Sequence, residues 1–326
     1  MLTEILDRYT TGTQIAGALF GVLFLILILR YLTRLYPGVK RHCAQTVADS
    51  EQPVDISVLV VVYDNIRFIR TALPRLLEQK YKGRYEVIVV NHSPKEPATT
   101  LSLEELRAKY PHLYVTTLKA EDHFKSTNKL ALSLGIKAAK YDHILMISGL
   151  TGDYSPNWLT AMSRGFRGER CIVAGYSNLK RRKGFANQLF RCTDIFNAIG
   201  IFARAAAGKP YRVIGSNTGF TKQMFYENKG FGGHANINLG EKDLFIQQMA
   251  PYARTSVVLD PDATNNITQE FSSLRKWYIA RGGELLMFPY YTPRAKRAML
   301  SVPLFLALFY ATATTLIVLC AIYRYW

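Results

Sequence analysis

Cysteine is scarce in this sequence: Cys43, Cys171, Cys192 and Cys320 are the only four, and none stands at metal-ligand spacing from another. That scatter excludes a structural zinc site and calls for no disulfide framework, leaving ordinary buried or membrane thiols. Internal repeats and low-complexity tracts are absent too, so a repeat architecture is excluded. Acids are few, with 24 Asp and Glu against 41 Lys and Arg and a formal charge of +17. No basic-aromatic motif or nucleic-acid module accompanies that excess, which argues against nucleic acid as the partner. Anionic lipid headgroups, worth about 1 kcal/mol per basic residue near a membrane surface, or phosphates on a small ligand fit it better.

Charge is missing altogether from two stretches, residues 9–29 and 298–323. A helix crossing the hydrocarbon core needs about 20 apolar residues, and both stretches are long enough. We read residues 9–32 and 298–323 as transmembrane helices. Glu4 and Asp7 precede the first run with only Arg8 as a base, and no small-residue cleavage site follows it, so a retained anchor is expected rather than a signal peptide. Arg30, Arg34, Lys40 and Arg41 follow the first run, and Arg294, Lys296 and Arg297 precede the second. Only Arg8 and Arg324 lie on the far sides. Basic residues stay on the cytoplasmic side, so the middle of the chain is expected there with both termini outside.

Between these ends the pattern is α/β. Residues 55–62 (DISVLVVV) are rich in β-branched residues, as in a strand buried on both faces, and residues 85–90 (YEVIVV) read as a second buried strand. Residues 113–118 and 143–147 read as further strands. Residues 68–79, 103–109 and 127–140 read as intervening helices. Such alternation predicts a mostly parallel sheet with right-handed crossovers. Its ligand crevice lies beyond the carboxyl ends of the strands, which directs attention to the residues after Val62, Val90 and Ile147. Further on, residues 186–207, 241–250 and 272–286 read as helices and 256–259 as a strand. Residues 287–291 (MFPYY) have the aromatic and proline character of a segment entering a membrane interface.

The run ISVLVVVYDN…LPRLLEQKY…YEVIVVNHS resembles the opening of family 2 glycosyltransferases. The likeness continues through Lys129-Leu130-Ala131-Leu132, Asp142-His143-Ile144-Leu145, Pro156-Asn157-Trp158-Leu159, Gly215-Ser216-Asn217-Thr218-Gly219-Phe220 and Gly240-Glu241-Lys242-Asp243-Leu244-Phe245, in family order. It implies a GT-A-like, Rossmann-related nucleotide-sugar transferase domain over residues 54–286, flanked by the two membrane helices. It further implies inverting transfer of a sugar from a nucleotide-sugar donor to a membrane lipid or lipid-linked saccharide, at a bacterial inner membrane. Other envelope-synthesis enzymes are the partners such a role implies.

The family's chemistry needs the leaving diphosphate neutralised, usually by a divalent ion on carboxylates, and a carboxylate base for the acceptor hydroxyl. This chain departs from the pattern at the metal. Asn91-His92 stands where an acid pair is usual, and Ser148-Gly149-Leu150 where Asp-x-Asp is usual. Neither can serve as a carboxylate ligand for Mg²⁺ or Mn²⁺. No metal or other cofactor is therefore assigned, and Asp153 is the nearest candidate. The resemblance places donor binding at Tyr63, Asp64, Asn91, His92, Lys129, Ser148, Leu150, Arg275, Lys276 and Arg281, with Lys129 and the three arginine and lysine residues of the last group neutralising the diphosphate. It places acceptor binding at Asn217, Thr218 and Gly219, and the base at Glu241 or Asp243. Acids in the first turn of a helix are also what the macrodipole favours whatever the function. Two readings follow: a sugar transferase working without metal, or a catalytically inactive relative acting as a scaffold in envelope polysaccharide synthesis.

Overall fold

The computed structural model describes residues 10–30, 32, 53–92, 96–118, 127–213, 216–237, 239–268 and 273–323. Arg8, Arg34, Lys40, Arg41, Cys43, Gly215 and Arg324, all used above, lie outside them. The chain divides into two units, one from the two ends (Met1–Pro37 with Thr292–Trp326) and one from Gly38–Tyr291.

The end unit holds two helices long and apolar enough to cross a membrane, Thr11–Arg30 (α1) and Pro293–Ile322. They pack together, with the Phe20 and Phe309 rings stacked at 5.0 Å. The second is longer than the charge-free run because Thr292 caps its start, accepting from the Ala295 N–H, so the helix takes in Arg294, Lys296 and Arg297.

In the larger unit a seven-stranded sheet has the order β3-β2-β1-β4-β8-β6-β9. In chain order its first half is β1 (Ile56–Val62), α2 (Ile66–Thr71), α3 (Leu73–Leu77), β2 (Tyr85–His92), α4 (Pro97–Lys109), β3 (Leu113–Leu118), α5 (Thr127–Ala138) and β4 (His143–Ser148). These four strands are parallel, and β1 pairs with both β2 and β4. Along β1, Ile56, Val58, Val60 and Val62 enter the core on one face while Leu59 and Val61 enter the core on the other. Period-two alternation with both faces covered explains the apolar run from Val58 to Val62, and each such side chain contributes about 1.5–3 kcal/mol. The helix expected over 68–79 is two short ones, because Pro74 in the first turn of α3 has no N–H to continue α2.

The second half runs β5 (Thr151–Gly152), α6 (Trp158–Ser163), β6 (Cys171–Gly175), β7 (Ser177–Leu179), α7 (Phe185–Ala206), β8 (Asn217–Thr221), α8 (Lys222–Glu227), α9 (Glu241–Met249), β9 (Arg254–Val258), β10 (Asn265–Ile267) and α10 (Leu274–Leu286), with Pro293–Ile322 as α11. In the large sheet β8 alone runs antiparallel, between β4 and β6, so the sheet is mostly parallel as expected. Strands β5, β10 and β7 form a second small sheet.

Asn217, Thr218 and Gly219, the residues expected at the acceptor, begin β8, which is buried throughout. The Asn217 amide donates to the carbonyls of Tyr176 (3.0 Å) and Ala263 (2.7 Å). A Cβ on Gly219 would lie 2.7 Å from the Phe166 ring and 3.0 Å from Leu145, so this glycine serves close packing inside the sheet.

Candidate functional site

The chain leaves β1 to one side through β2 and β3, then returns to the other side at β4. The strand order therefore reverses between β1 and β4, and the carboxyl ends of two strands diverge there to leave a crevice. A cavity of about 270 Å³ occupies it, lined by Val61, Tyr63, Asn65, Asn128, Leu132, Ile147, Ser148, Gly149, Leu150, Glu241 and Lys242. The rim is stitched by Asn65, whose Oδ1 caps α2 by accepting from the Phe68 N–H (3.1 Å) while its Nδ2 donates to the Gly149 carbonyl (2.8 Å). One side chain thus holds the loops after β1 and β4 together.

The opposite wall comes from the N-termini of α5 and α9. Helix α5 lies close on the sheet because residue 135 is glycine: a Cβ there would stand 2.2 Å from Leu59 Cδ1. That approach brings Asn128 to the cavity. Helix α9 starts from Gly240 in the left-handed conformation (φ +73°), where a Cβ would also meet Met287 Cε at 2.2 Å. The left-handed φ favours glycine here, while the Met287 tip is flexible and could yield. The next two residues, Glu241 and Lys242, therefore open the helix at the cavity.

Three side chains form a relay. Tyr63 Oη donates to Asn128 Oδ1 (3.0 Å), and Asn128 Nδ2 donates to Glu241 Oε1 (2.5 Å). A neutral amide donor orients the carboxylate without neutralising it, and Glu241 Oε2 accepts no hydrogen bond from another described residue. Burial, then the nearby Glu241 charge, pushes the Tyr63 phenol above its ordinary value, so it stays a donor. The His92 ring packs on Tyr63 at 4.5 Å.

Glu241 and Asp243 have different surroundings. Asp243 Oδ2 accepts from Arg212 Nε (2.9 Å) and from the Tyr291 hydroxyl (2.6 Å). Burial works against the Arg212 charge, but Asp243 and Glu284 outweigh it and hold the guanidinium above its ordinary value. Asp243 is thus committed to an ion pair, whereas Glu241 faces the cavity.

The remaining expected residues lie elsewhere. Lys129 is buried and its Nζ donates to the carbonyls of His234 (2.6 Å) and Ile237 (2.7 Å), which ties α5 to the segment before α9. Asn91 is buried under α4, 3.5 Å from Thr100 Oγ1. Asp64, at φ +41°, accepts from the Glu96 N–H (3.5 Å). Arg281 is bidentate on Glu284 (2.9 and 3.0 Å), and Arg275 and Lys276 are exposed on α10. Asp153 is held by Lys180 (2.9 Å) and Arg75 (3.1 Å), and the Lys180 hydrogen bond leads in drawing its carboxyl below the usual range. None of these seven lines the cavity.

No family model and no curated protein matches the sequence. Solved structures do. The chain is similar to the mannosyltransferase PcManGT from Pyrobaculum calidifontis, solved in complex with GDP-Man and Mn²⁺. The two share 19% identity over 93% of this chain and 86% of that one, with a TM-score of 0.64. The fold is a glycosyltransferase fold. TarS from S. aureus is a more distant structure, at 16% identity over 80% of this chain and 72% of that one with a TM-score of 0.45.

The Mn²⁺ in the PcManGT complex poses a direct question of fit to this glycosyltransferase fold. Glu241 is the one carboxylate among the cavity-lining residues, and Ser148, Gly149 and Leu150 supply none. Among the described residues no cluster of three or more His, Cys, Asp or Glu stands ready to hold an ion. A hard divalent cation takes six or more oxygen ligands, anchored on one or more protein carboxylates besides phosphate and water. The one carboxylate among the described lining residues is already oriented by an amide, so those residues do not fit the ion. Asp153, engaged by two cations, does not repair this.

Sequence reasoning missed Asn65 and Asn128, which are legible only as a helix cap and as the residue before Lys129. His234, on the turn that receives Lys129, gives a pH signature. Burial, then the charge of Lys129, pushes its imidazole down to about 4. The unfolded chain, with an ordinary value near 6.5, then binds more protons than the native state between those limits. Stability contributed above pH 6.5 is lost progressively as pH falls to about 4, up to about 3 kcal/mol. Urea titrations from pH 7.5 to 4 should show His234→Gln losing less stability than the parent; equal slopes would refute the assignment.

Proposed function

We propose that the chain is a membrane-anchored inverting glycosyltransferase that moves a sugar from a nucleotide-sugar donor to a membrane-associated saccharide or lipid. The observation that carries this reading is the Glu241 carboxylate, oriented by Asn128 with one oxygen open to the cavity at the strand reversal. The acceptor hydroxyl attacks the anomeric carbon from the face opposite the leaving group. Its proton passes to Glu241 Oε2 as the new C–O bond forms. The bond between the anomeric carbon and the β-phosphate oxygen breaks, and the nucleoside diphosphate departs with that electron pair. No step is routed through a metal ion, since the lining residues do not fit one.

Helices α1 and α11 would each cross a bacterial inner membrane, with the basic flanks and the catalytic unit on the cytoplasmic side. Tethering of this kind suits a lipid-linked acceptor. The scaffold reading draws on the missing acid pairs. The oriented Glu241 favours the enzyme, because folding alone does not require a carboxylate held by a neutral amide at the edge of a cavity.

The test is turnover. Full-length chain in lipid nanodiscs should release nucleoside diphosphate from one of the UDP-, GDP- or dTDP-sugars in the presence of EDTA and a membrane lipid extract, with a glycosylated lipid of inverted anomeric configuration as product. Failure to bind or turn over any donor, with or without Mg²⁺ or Mn²⁺, would leave the scaffold reading.

A further inference from the structure

Resting on the transferase reading, the geometry points to Lys242 as the cation that seats the donor diphosphate, in the role a divalent ion fills elsewhere. Lys242 lines the cavity and makes neither a hydrogen bond nor an ion pair with another described residue, although acids flank it on both sides. The reason is local. Asp243 is engaged by Arg212 and Tyr291, and Glu241 by Asn128. Lys129, the basic residue expected to meet the phosphates, has its ammonium committed to two carbonyls. Lys242 is therefore the one cation among the described residues that line the cavity.

The backbone around it is also arranged for an anion. Lys242 is the second residue of α9, a nine-residue helix whose Gly240 cap offers no side-chain acceptor. The first N–H groups of that helix, at the positive end of its dipole, receive no side-chain cap, and the residues that carry the first two of them line the cavity. An ammonium beside open amide donors makes charge-assisted hydrogen bonds to phosphate oxygens and stabilises the leaving group as the glycosidic bond breaks. Burial, the larger influence, lowers the Lys242 pKa despite the flanking acids, the direction expected of an amine awaiting a counter-ion. The same helix turn would then carry both the base and the diphosphate cation, with Glu241 serving the acceptor and Lys242 the donor.

The experiment is calorimetric titration of the full chain in detergent with EDTA, using UDP, GDP and dTDP and their monophosphates. The parent should prefer one diphosphate over its monophosphate. Lys242→Met should weaken that diphosphate about 10- to 100-fold while leaving the monophosphate and the melting temperature unchanged, and Lys242→Arg should restore most of the loss. Unchanged diphosphate affinity in Lys242→Met, or parent binding that appears only with Mg²⁺ or Mn²⁺, would overturn this role and leave the transferase reading intact. Parent chain that binds no nucleotide under any condition would remove the transferase reading itself.

Discussion

Glu241→Gln is expected to reduce sugar transfer about 100- to 10,000-fold, the usual cost of losing a positioned general base, while donor affinity stays within about twofold. The substitution keeps volume and leaves an oxygen to accept from Asn128 Nδ2, so the loss reports proton transfer rather than structure. Asp243→Asn makes the opposite forecast. Its carboxylate already holds the Arg212 guanidinium and the Tyr291 hydroxyl, and burial followed by the Asp243 charge raises the Tyr291 phenol. A carboxylate oxygen already engaged by a guanidinium and a phenol is not free to meet an acceptor hydroxyl. Asp243→Asn should therefore lower stability while kcat per folded molecule changes little. Measured side by side on the same donor and acceptor, the two variants separate the candidates. If Asp243→Asn abolishes turnover and Glu241→Gln spares it, the roles assigned here are reversed.

Arg212→Ala should destabilise the larger unit by about 3 kcal/mol, at the lower end of the cost of breaking a buried ion pair. Arg212 and Asp243 keep only 17% and 15% of their side-chain surface exposed, so removing one charge leaves the other largely desolvated. The loss is shared across elements, because Arg212 also faces Glu284 at 3.6 Å, and Glu284 holds Arg281. The segment before β8, α9 and α10 thus meet in one polar cluster. For a unit of this size the change corresponds to a fall in melting temperature of about 6–12 °C. Thermal unfolding in detergent followed by circular dichroism reads it directly. A shift under about 2 °C would mean that packing, not the ion pair, joins these elements.

The strands of the parallel half were legible because a strand covered on both faces is apolar over most of its length, as residues 58–62 and 87–90 are. Strand β6 carries the same signal in CIVAG, buried throughout, but its five residues sit among loops that mask it. The opening of β8 reads as a turn because Ser216, Asn217 and Gly219 are turn residues by composition. Burial of the Asn217 amide on two carbonyls and the need for a side-chain-free contact at Gly219 override that propensity. Lys129 was placed correctly on a helix start but given the wrong partner. Sequence shows a basic residue near a crevice, and only packing shows that two main-chain carbonyls already satisfy it.

By itself the sequence determined the two apolar helices, the α/β alternation and the strand ends that bear the crevice. Each depends on residue type and spacing along the chain. Only the tertiary structure set Asp243 on Arg212 and Tyr291 and Glu241 at the cavity, gave the Lys129 ammonium two main-chain carbonyls and Arg281 a carboxylate, and placed Lys242 beside the cavity with no ion pair among the described residues. Those outcomes turn on which charge meets which across α5, α9 and α10. The Coulombic and desolvation terms involved depend on distances of a few ångströms between residues about 30 to more than 100 positions apart, as in Asn128 with Glu241 and Arg212 with Asp243.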